Sequence, residues 1–186
     1  IVGFFNSQDD LVCPYAIERD AIVYRTAWHP DGCPARTPPE VAPGVYEIDM
    51  GMPGDERFIG WGWHWQEDIG ATRWRWTGEY PTSKIYVDLP PGAYQMELAA
   101  QAFWEPRQLS IAVNGQRLDE SMTVSTDTLG VYTFTIPADL VGAGQQIELE
   151  LSYDKTIIPA EIGQSADPRK LAIAVDWIRF TYAVNS

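Results

Sequence analysis

The chain has 186 residues, of which 45% are hydrophobic and 21% charged, a balance typical of a globular domain rather than of a disordered chain. Its formal net charge of −13 repels phosphate backbones and anionic lipid headgroups, which excludes nucleic acid as a partner. The sequence lacks a run of about 18 apolar residues, so this segment does not insert directly into a membrane.

Residues 1–44 are predicted to be an irregular segment that packs on the body of the domain. Six of the 14 prolines lie there, and residues 21–25 (AIVYR) have the character of one short strand. In an exported protein Cys13 and Cys33 would pair, closing a loop of about 20 residues that adds roughly 3 kcal/mol of stability; two free thiols are the alternative. Because the chain begins at Ile1 rather than Met, we expect a processed product or a part of a larger, membrane-anchored chain or complex.

From residue 45 onward, apolar and polar side chains alternate, which predicts β-strands. The predicted strands are residues 45–50, 58–65, 73–77, 84–89, 93–100, 109–113, 116–118, 122–126, 130–137, 147–153 and 171–183. Asn114-Gly115 is the strongest hairpin signal, and residues 137–141 (PADLV) predict a single helical turn. Short strands separated by Gly and Pro turns indicate an all-β sandwich or barrel over residues 45–186, with about nine or ten strands.

Residues 154–170 form the longest connection between predicted strands, with 17 residues. Ordered connections of this length are uncommon in compact domains unless they serve a function. We therefore expect this loop to contribute to a functional site.

Several phrases of the sequence resemble one known group of modules. They are RWTG (75–78), KIYVDLPPGAYQMEL (84–98), LSIAVNGQRL (109–118), YTFTIPADLVGAGQQIELELS (132–152) and LAIAVDWIRF (171–180). Their order resembles galactose-binding-like jelly-roll modules, and in particular the C-terminal extracytoplasmic domain of bacterial multi-spanning membrane glycosyltransferases. The resemblance covers residues 45–182. It implies a jelly-roll β-sandwich of two antiparallel sheets that works outside the cytoplasm, as a secreted, periplasmic or cell-surface domain.

Three tryptophans, Trp61, Trp63 and Trp65, are spaced by two residues, so they would share one face of a strand. Such a row is a platform on which sugar rings stack, with Glu67 and Asp68 accepting hydrogen bonds from the hydroxyl groups. The alternative is that the three indoles fill the core between the sheets, which is about 10 Å deep.

Two further aromatic residues, Tyr80 and Trp104, lie in connections between predicted strands. Aromatic side chains at such positions are typical of binding surfaces, because one end of the ring is apolar and the other is polar. By contrast, Trp74 and Trp76 alternate with Arg73 and Arg75, which favours a place in the core for both indoles.

The resemblance also implies a structural calcium ion near the first and last strands, for which Asp176, Asp55 and Glu56 are the candidate ligands. Calcium takes six to eight oxygen ligands, and no local calcium-loop motif occurs in the sequence. The alternative for Asp176 is a buried carboxylate bonded to backbone amides or to an arginine such as Arg73 or Arg75.

The sequence contains no nucleophile elbow, phosphate loop, dinucleotide fingerprint or zinc-ligand spacing. We therefore expect no catalytic residues, no organic cofactor and a non-catalytic domain that recognises carbohydrate or assists a membrane glycosyltransferase. The first alternative is a structural or interaction subunit of a cell-surface or membrane-bound assembly, with a protein partner. The second is a glycan-active enzyme on a jelly-roll scaffold, which would need two carboxylates facing each other across the sugar.

Overall fold

The chain folds as the predicted jelly-roll β-sandwich of two antiparallel sheets. The computed structural model describes residues 12–18, 21–26, 35–69, 72–143 and 146–183. The strands of these residues are β1 (Val12–Glu18), β2 (Ala21–Thr26), β3 (Glu40–Ala42), β4 (Val45–Asp49), β5 (Trp63–Ile69), β6 (Thr72–Thr77), β7 (Thr82–Asp88), β8 (Tyr94–Ala102), β9 (Arg107–Val113), β10 (Gln116–Val124), β11 (Gly130–Ile136), β12 (Gln146–Tyr153) and β13 (Ile173–Tyr182).

The two sheets differ in size. The smaller has the strand order β10-β9-β12-β7, and the larger has the order β11-β8-β13-β4-β3 with β6 and β5 attached. Strand β13 organises the larger sheet, because β8 pairs along one side of it while β6 and β4 pair in succession along the other. Strands β1 and β2 form a separate antiparallel pair.

The core lies between the sheets and follows the alternation in the sequence. Along β12, Ile147, Leu149 and Leu151 are buried, whereas the residues between them keep contact with solvent. Strand β13 contributes Ile178 and Phe180 from the facing sheet. Each such side chain adds roughly 1.5–3 kcal/mol by leaving water, so this period-two pattern stabilises the sandwich as well as predicting it.

Strands β4 and β6–β13 confirm the strands predicted at those positions. Asn114 and Gly115 have φ values of +50° and +81°, which is the geometry of the predicted tight hairpin between β9 and β10. The two short strands predicted at 116–118 and 122–126 are one strand, β10, with a register shift between Arg117 and Ser121. The predicted helical turn is helix α1 (Ala138–Val141). None of the helices among the described residues combines the length and the apolar character needed to cross a bilayer.

The strand predicted over residues 58–65 is wrong. A 3-10 turn, Asp55–Arg57, precedes an isolated bridge between Ile59 and Ile85, and β5 begins only at Trp63. The chain reverses at Gly62, whose φ of +87° brings its backbone so close to β7 that a Cβ would collide with the carbonyl oxygen of Thr82. Glycine permits this turn because it lacks a Cβ, and the turn interrupts the alternation that the sequence suggests.

The segment before residue 45 contains the predicted strand 21–25 within β2 and, in addition, β1 and β3. Strand β3 pairs with β4, and β1 lies next to the 3-10 turn. The Arg36 amide donates to the Asp88 carboxylate at 2.7 Å, and the Asp88 amide donates to the Arg36 carbonyl at 2.9 Å. The Cys13 side chain and Cys33 lie outside what the structure describes, so their pairing stays a prediction, as does the division of the chain at residue 44.

Candidate functional site

One end of the sandwich carries a cleft of about 220 Å³, which we call the Tyr80 cleft. The turn between β6 and β7, the end of β12 and both ends of the loop 154–170 form its wall. The residues that line it are Gly78, Glu79, Tyr80, Pro81, Tyr153, Asp154, Lys155, Thr156 and Lys170.

The turn between β6 and β7 packs directly on the end of the long loop. Gly78 has a φ of +125°, and a Cβ there would lie 2.5 Å from the carbonyl oxygen of Lys170. The Tyr153 hydroxyl donates to the Tyr80 carbonyl, and burial raises the pKa of Tyr153 to about 12. Tyr153 therefore stays protonated near neutral pH and holds the turn against the end of β12 as a hydrogen-bond donor.

Tyr80 presents an exposed ring beside the cleft. Tyr80 is 42% exposed, and its ring packs edge-to-face on Trp61 with 5.4 Å between the ring centroids and an interplanar angle of 88°. This is a favourable arrangement for aromatic pairs. Trp61 therefore fixes the orientation of the Tyr80 ring while leaving much of that ring open to a ligand.

Both acidic and basic residues line the cleft. Lys155 forms an ion pair with Glu105 at 2.7 Å, and one Asp154 oxygen accepts the Gln108 amide at 3.1 Å. Within the described part of the chain, the side chains of Glu79 and Lys170 form no hydrogen bond or ion pair. The cleft thus offers both acceptors and donors to a polar ligand.

Trp104 lies in the connection between β8 and β9, and it is 54% exposed. The next residue, Glu105, forms the ion pair with the cleft residue Lys155. The structure therefore joins the connection that carries Trp104 to the wall of the Tyr80 cleft.

The prediction that three indoles share one face of a strand is wrong, because they occupy three different environments. Trp61 is half-buried in the turn before β5, Trp63 is only 7% exposed in the core, and Trp65 is 47% exposed. A register shift between Trp63 and Gln66 breaks the alternation within β5. The Trp63 indole donates to the Lys84 carbonyl at 2.8 Å, as a satisfied core residue does.

The two acids after the tryptophans have protein partners. Glu67 accepts a hydrogen bond from the Trp76 indole at 3.2 Å and forms an ion pair with Arg169, while Asp68 pairs with Arg73 at 2.7 Å. Neither acid belongs to the residues that line the Tyr80 cleft. Through Arg169, Glu67 ties the end of the long loop to β5, and the sugar-binding role of both acids stays a prediction.

The residues predicted as calcium ligands do not form one site. Asp55 and Glu56 are buried and both bind Arg75, with Asp55 oxygens 2.6 and 2.7 Å from the guanidinium nitrogens. Asp176 instead precedes Trp177, which pairs with Asp49 across β13 and β4, and burial raises the pKa of the Asp176 carboxyl. In the part of the chain that the structure describes, no group of three or more His, Cys, Asp or Glu residues has metal-binding geometry.

Sequence reasoning identified Tyr80 but missed its neighbours Glu79, Asp154, Lys155 and Lys170. Three of these four residues belong to the connection 154–170, whose length predicted a functional role. Both ends of that connection, Asp154 and Lys170, line the cleft. Loop length was therefore a usable signal, whereas periodicity carried no information about these positions.

No family model matches the chain, and no curated protein matches its sequence. Several solved carbohydrate-binding modules are similar in structure. The C-terminal family 6 module of LamC, a marine laminarinase from Zobellia galactanivorans, is 13% identical with a TM-score of 0.45 over 74% of this chain and 98% of that chain. Module CBM6cm-2 from Cellvibrio mixtus lichenase 5A, in complex with cellotriose, is 12% identical with a TM-score of 0.44 over 74% and 97%. Module CBM36 in complex with calcium and xylotriose is 14% identical with a TM-score of 0.42 over 73% and 98%. These matches give no residue-by-residue correspondence with this chain.

Proposed function

We propose that this protein is a non-catalytic carbohydrate-binding domain and that the Tyr80 cleft holds the glycan. The observation that carries the proposal is the exposed Tyr80 ring, braced by Trp61, beside a concavity lined by donors and acceptors. Binding sites for small ligands combine such an apolar surface with a few convergent polar groups.

The chemistry of sugars matches both parts of this arrangement. A pyranose ring has an apolar C–H face that stacks on an aromatic ring, and its hydroxyl groups donate and accept hydrogen bonds. Glu79 and Asp154 would accept from hydroxyl groups, and Lys170 would donate to them. The cleft is smaller than the range of about 300–1,000 Å³ typical of ligand pockets, so it would hold about one sugar unit rather than enclose a chain.

A matched pair of tyrosine variants tests the proposal. Tyr80 and Tyr182 are both 42% exposed, but Tyr182 lies at the far end of β13 from the cleft. After a glycan array identifies binders, we expect Tyr80→Ala to weaken calorimetric affinity about 10-fold, the effect of losing one aromatic contact. Tyr182→Ala should leave the affinity unchanged.

Two results would argue against a glycan in this cleft. One is the absence of any array signal above that of a non-binding protein of similar charge. The other is an equal loss of affinity in the two tyrosine variants, which would indicate a general loss of stability rather than a contact at Tyr80.

We further propose an extracytoplasmic location and an accessory role beside a membrane glycosyltransferase, on the basis of the phrases that resemble such domains. The expected result is that the protein fractionates outside the cytoplasm and co-purifies with a multi-spanning glycosyltransferase from native membranes. Recovery in the cytoplasmic fraction would contradict both parts of this proposal.

The enzyme alternative has one specific observation in its favour, because two acidic residues, Glu79 and Asp154, line the cleft. Release of reducing sugar from a bound glycan, lost in Glu79→Gln, would support hydrolysis over simple binding. The interaction-subunit alternative instead predicts a stable complex in which the exposed indoles of Trp65 and Trp104 become protected from iodide quenching.

A further inference from the structure

Trp104 occupies a strained turn. Its φ is +66°, and the Glu105 amide donates to the Phe103 carbonyl at 2.7 Å, which closes a three-residue γ-turn around it. A positive φ is unfavourable for a residue with a bulky side chain, and a γ-turn of this hand is rare. Strain of this kind persists only where the surrounding structure enforces it, and it is concentrated at functional sites.

Arg107 is the side chain that enforces this turn. It is fully buried, and its guanidinium donates hydrogen bonds to three backbone carbonyls of the same loop. These carbonyls are those of Phe103 at 3.1 Å, Glu105 at 2.8 Å and Pro106 at 3.1 Å. These acceptors flank Trp104 on both sides. A buried guanidinium bonded to carbonyl groups of one loop fixes the path of that loop at a desolvation cost.

Neither the strain nor the buried charge is offset by packing of the Trp104 ring, because more than half of this residue remains exposed. In contrast, Phe103 packs its ring on Trp76 and donates its amide to the Ala172 carbonyl at 2.9 Å. The loop thus packs one half-buried aromatic ring on the body of the domain and presents the next to solvent. The γ-turn and the buried Arg107 therefore hold the Trp104 indole at the surface.

We propose that Arg107 is a positioning residue that holds Trp104 as a second stacking contact, so that the site takes an oligosaccharide rather than a single sugar. This inference rests on the proposed function of the Tyr80 cleft. The Glu105–Lys155 ion pair connects the γ-turn to the cleft wall, so a chain that leaves the cleft along this wall meets the indole. One sugar unit would contact Tyr80, and a following unit would contact Trp104.

Variants of Trp104 separate strain from binding. Glycine adopts a positive φ without the penalty that a Cβ brings, so we expect Trp104→Gly to melt about 2–4 °C above Trp104→Ala. Both variants should bind cellotriose, xylotriose or laminaritriose about 10-fold more weakly than the unmodified protein does, with unchanged affinity for the matching monosaccharide. Trp104→Phe, which keeps a ring, should recover part of the trisaccharide affinity.

A second experiment follows the indole itself. With fluorotryptophan incorporated at all eight tryptophans, the Trp104 signal is the fluorine resonance missing from Trp104→Phe. In Arg107→Met we expect this resonance to move and narrow as the loop is released, while the resonances of tryptophans that do not contact this loop, such as Trp63, stay in place. Trisaccharide affinity should fall as it does in Trp104→Ala.

Each result bears on a different claim. If the unmodified protein binds none of the three trisaccharides and no glycan on the array, the proposed function fails, and the ligand role of Trp104 fails with it. If it binds a different oligosaccharide on the array, that oligosaccharide replaces the trisaccharides in the comparison. If it binds them and Trp104→Ala binds equally well, only the second contact fails. If Arg107→Met folds and its Trp104 resonance does not move, the positioning role is overturned. If Arg107→Met does not fold, the strain is tested by the melting temperatures of the other two variants, and a Trp104→Gly variant that melts no higher than Trp104→Ala would overturn it.

Discussion

Arg75 and Asp55 form a bidentate ion pair in the interior of the protein. The Asp55 oxygens lie 2.6 and 2.7 Å from Nε and Nη2 of Arg75, and one of them also accepts the Gly51 amide at 2.6 Å. Glu56 completes the cluster at 3.3 Å from Nη2. The pair attaches the 3-10 turn before β5 to strand β6, and so sets the direction in which the chain approaches Trp61.

Removing one partner of this pair should destabilise the fold strongly. Asp55→Asn leaves the buried guanidinium of Arg75 without its main counter-charge, so we expect the free energy of unfolding to fall by about 3–5 kcal/mol. The matched control is Asp68→Asn, which breaks the exposed ion pair with Arg73 and should cost less than about 1 kcal/mol. Urea unfolding measures both, and equal losses would contradict the buried role of Asp55.

The acids around the last strand should make stability depend on pH. Burial raises the pKa of Asp176, and the charges of Asp49 and Glu47 raise it further. A carboxyl whose pKa is higher in the folded state than its ordinary value of 3.8 costs stability when ionised, and this cost disappears as the pH falls through the raised pKa toward 3.8.

We therefore expect Asp176→Asn to be more stable than the unmodified protein at pH 7, by less than about 1 kcal/mol because the group keeps contact with solvent. The difference should vanish near pH 3.5. Thermal melts across this range provide the measurement, and a variant that is less stable at pH 7 would contradict the cost of burying the ionised Asp176 carboxyl beside Asp49 and Glu47.

The glycine at the start of the cleft turn should not tolerate a side chain. Gly78→Ala places a Cβ 2.5 Å from the Lys170 carbonyl oxygen at a φ of +125°, so we expect a loss of about 3 kcal/mol and weaker glycan binding. Gly115→Ala is the control, because its φ is +81° but nothing lies within 4 Å of the added Cβ. Its cost should be about 1 kcal/mol, with binding intact. Similar losses in both variants would show that the contact with Lys170 is unimportant.

Calcium should have little effect on stability, because Arg75 already binds two of the three acids predicted as ligands. We expect the melting temperature to change by less than about 1 °C when EDTA is replaced by millimolar calcium chloride. A rise of several degrees that Asp176→Asn abolishes would contradict this expectation and would restore a calcium site at the last strand.

Alternation in the sequence was sufficient to predict most of the strands, because each side chain of a sandwich strand points either to the core or to solvent. Strand β12 is the plainest example, with Ile147, Leu149 and Leu151 facing inward. The same rule failed for Trp61 and Trp63. There, the turn at Gly62 and the register shift in β5 both arise from contacts with β7 and β6, which lie elsewhere in the sequence.

The candidate site was harder to predict for the same reason. Tyr80 and Trp104 are conspicuous as aromatic residues in connections, so residue type alone identified them. Glu79 and Lys170 are ordinary charged residues, and only the folding of the chain brings them to one cleft. Arg107 was also missed, since a buried arginine that supports its own loop leaves no periodic pattern.

The two hydrogen bonds between Arg36 and Asp88, one from the Arg36 amide to the Asp88 carboxylate and one from the Asp88 amide to the Arg36 carbonyl, bear on where a fragment of this chain can start. A fragment that starts at residue 45 loses β3, and it leaves the amides of Asp88 and Glu47 without the carbonyls of Arg36 and Pro39. Unpaired backbone N–H and C=O groups at an exposed sheet edge promote pairing with a second molecule. A fragment that starts at residue 35 should therefore aggregate less than one that starts at residue 45, as size-exclusion chromatography of the two would show.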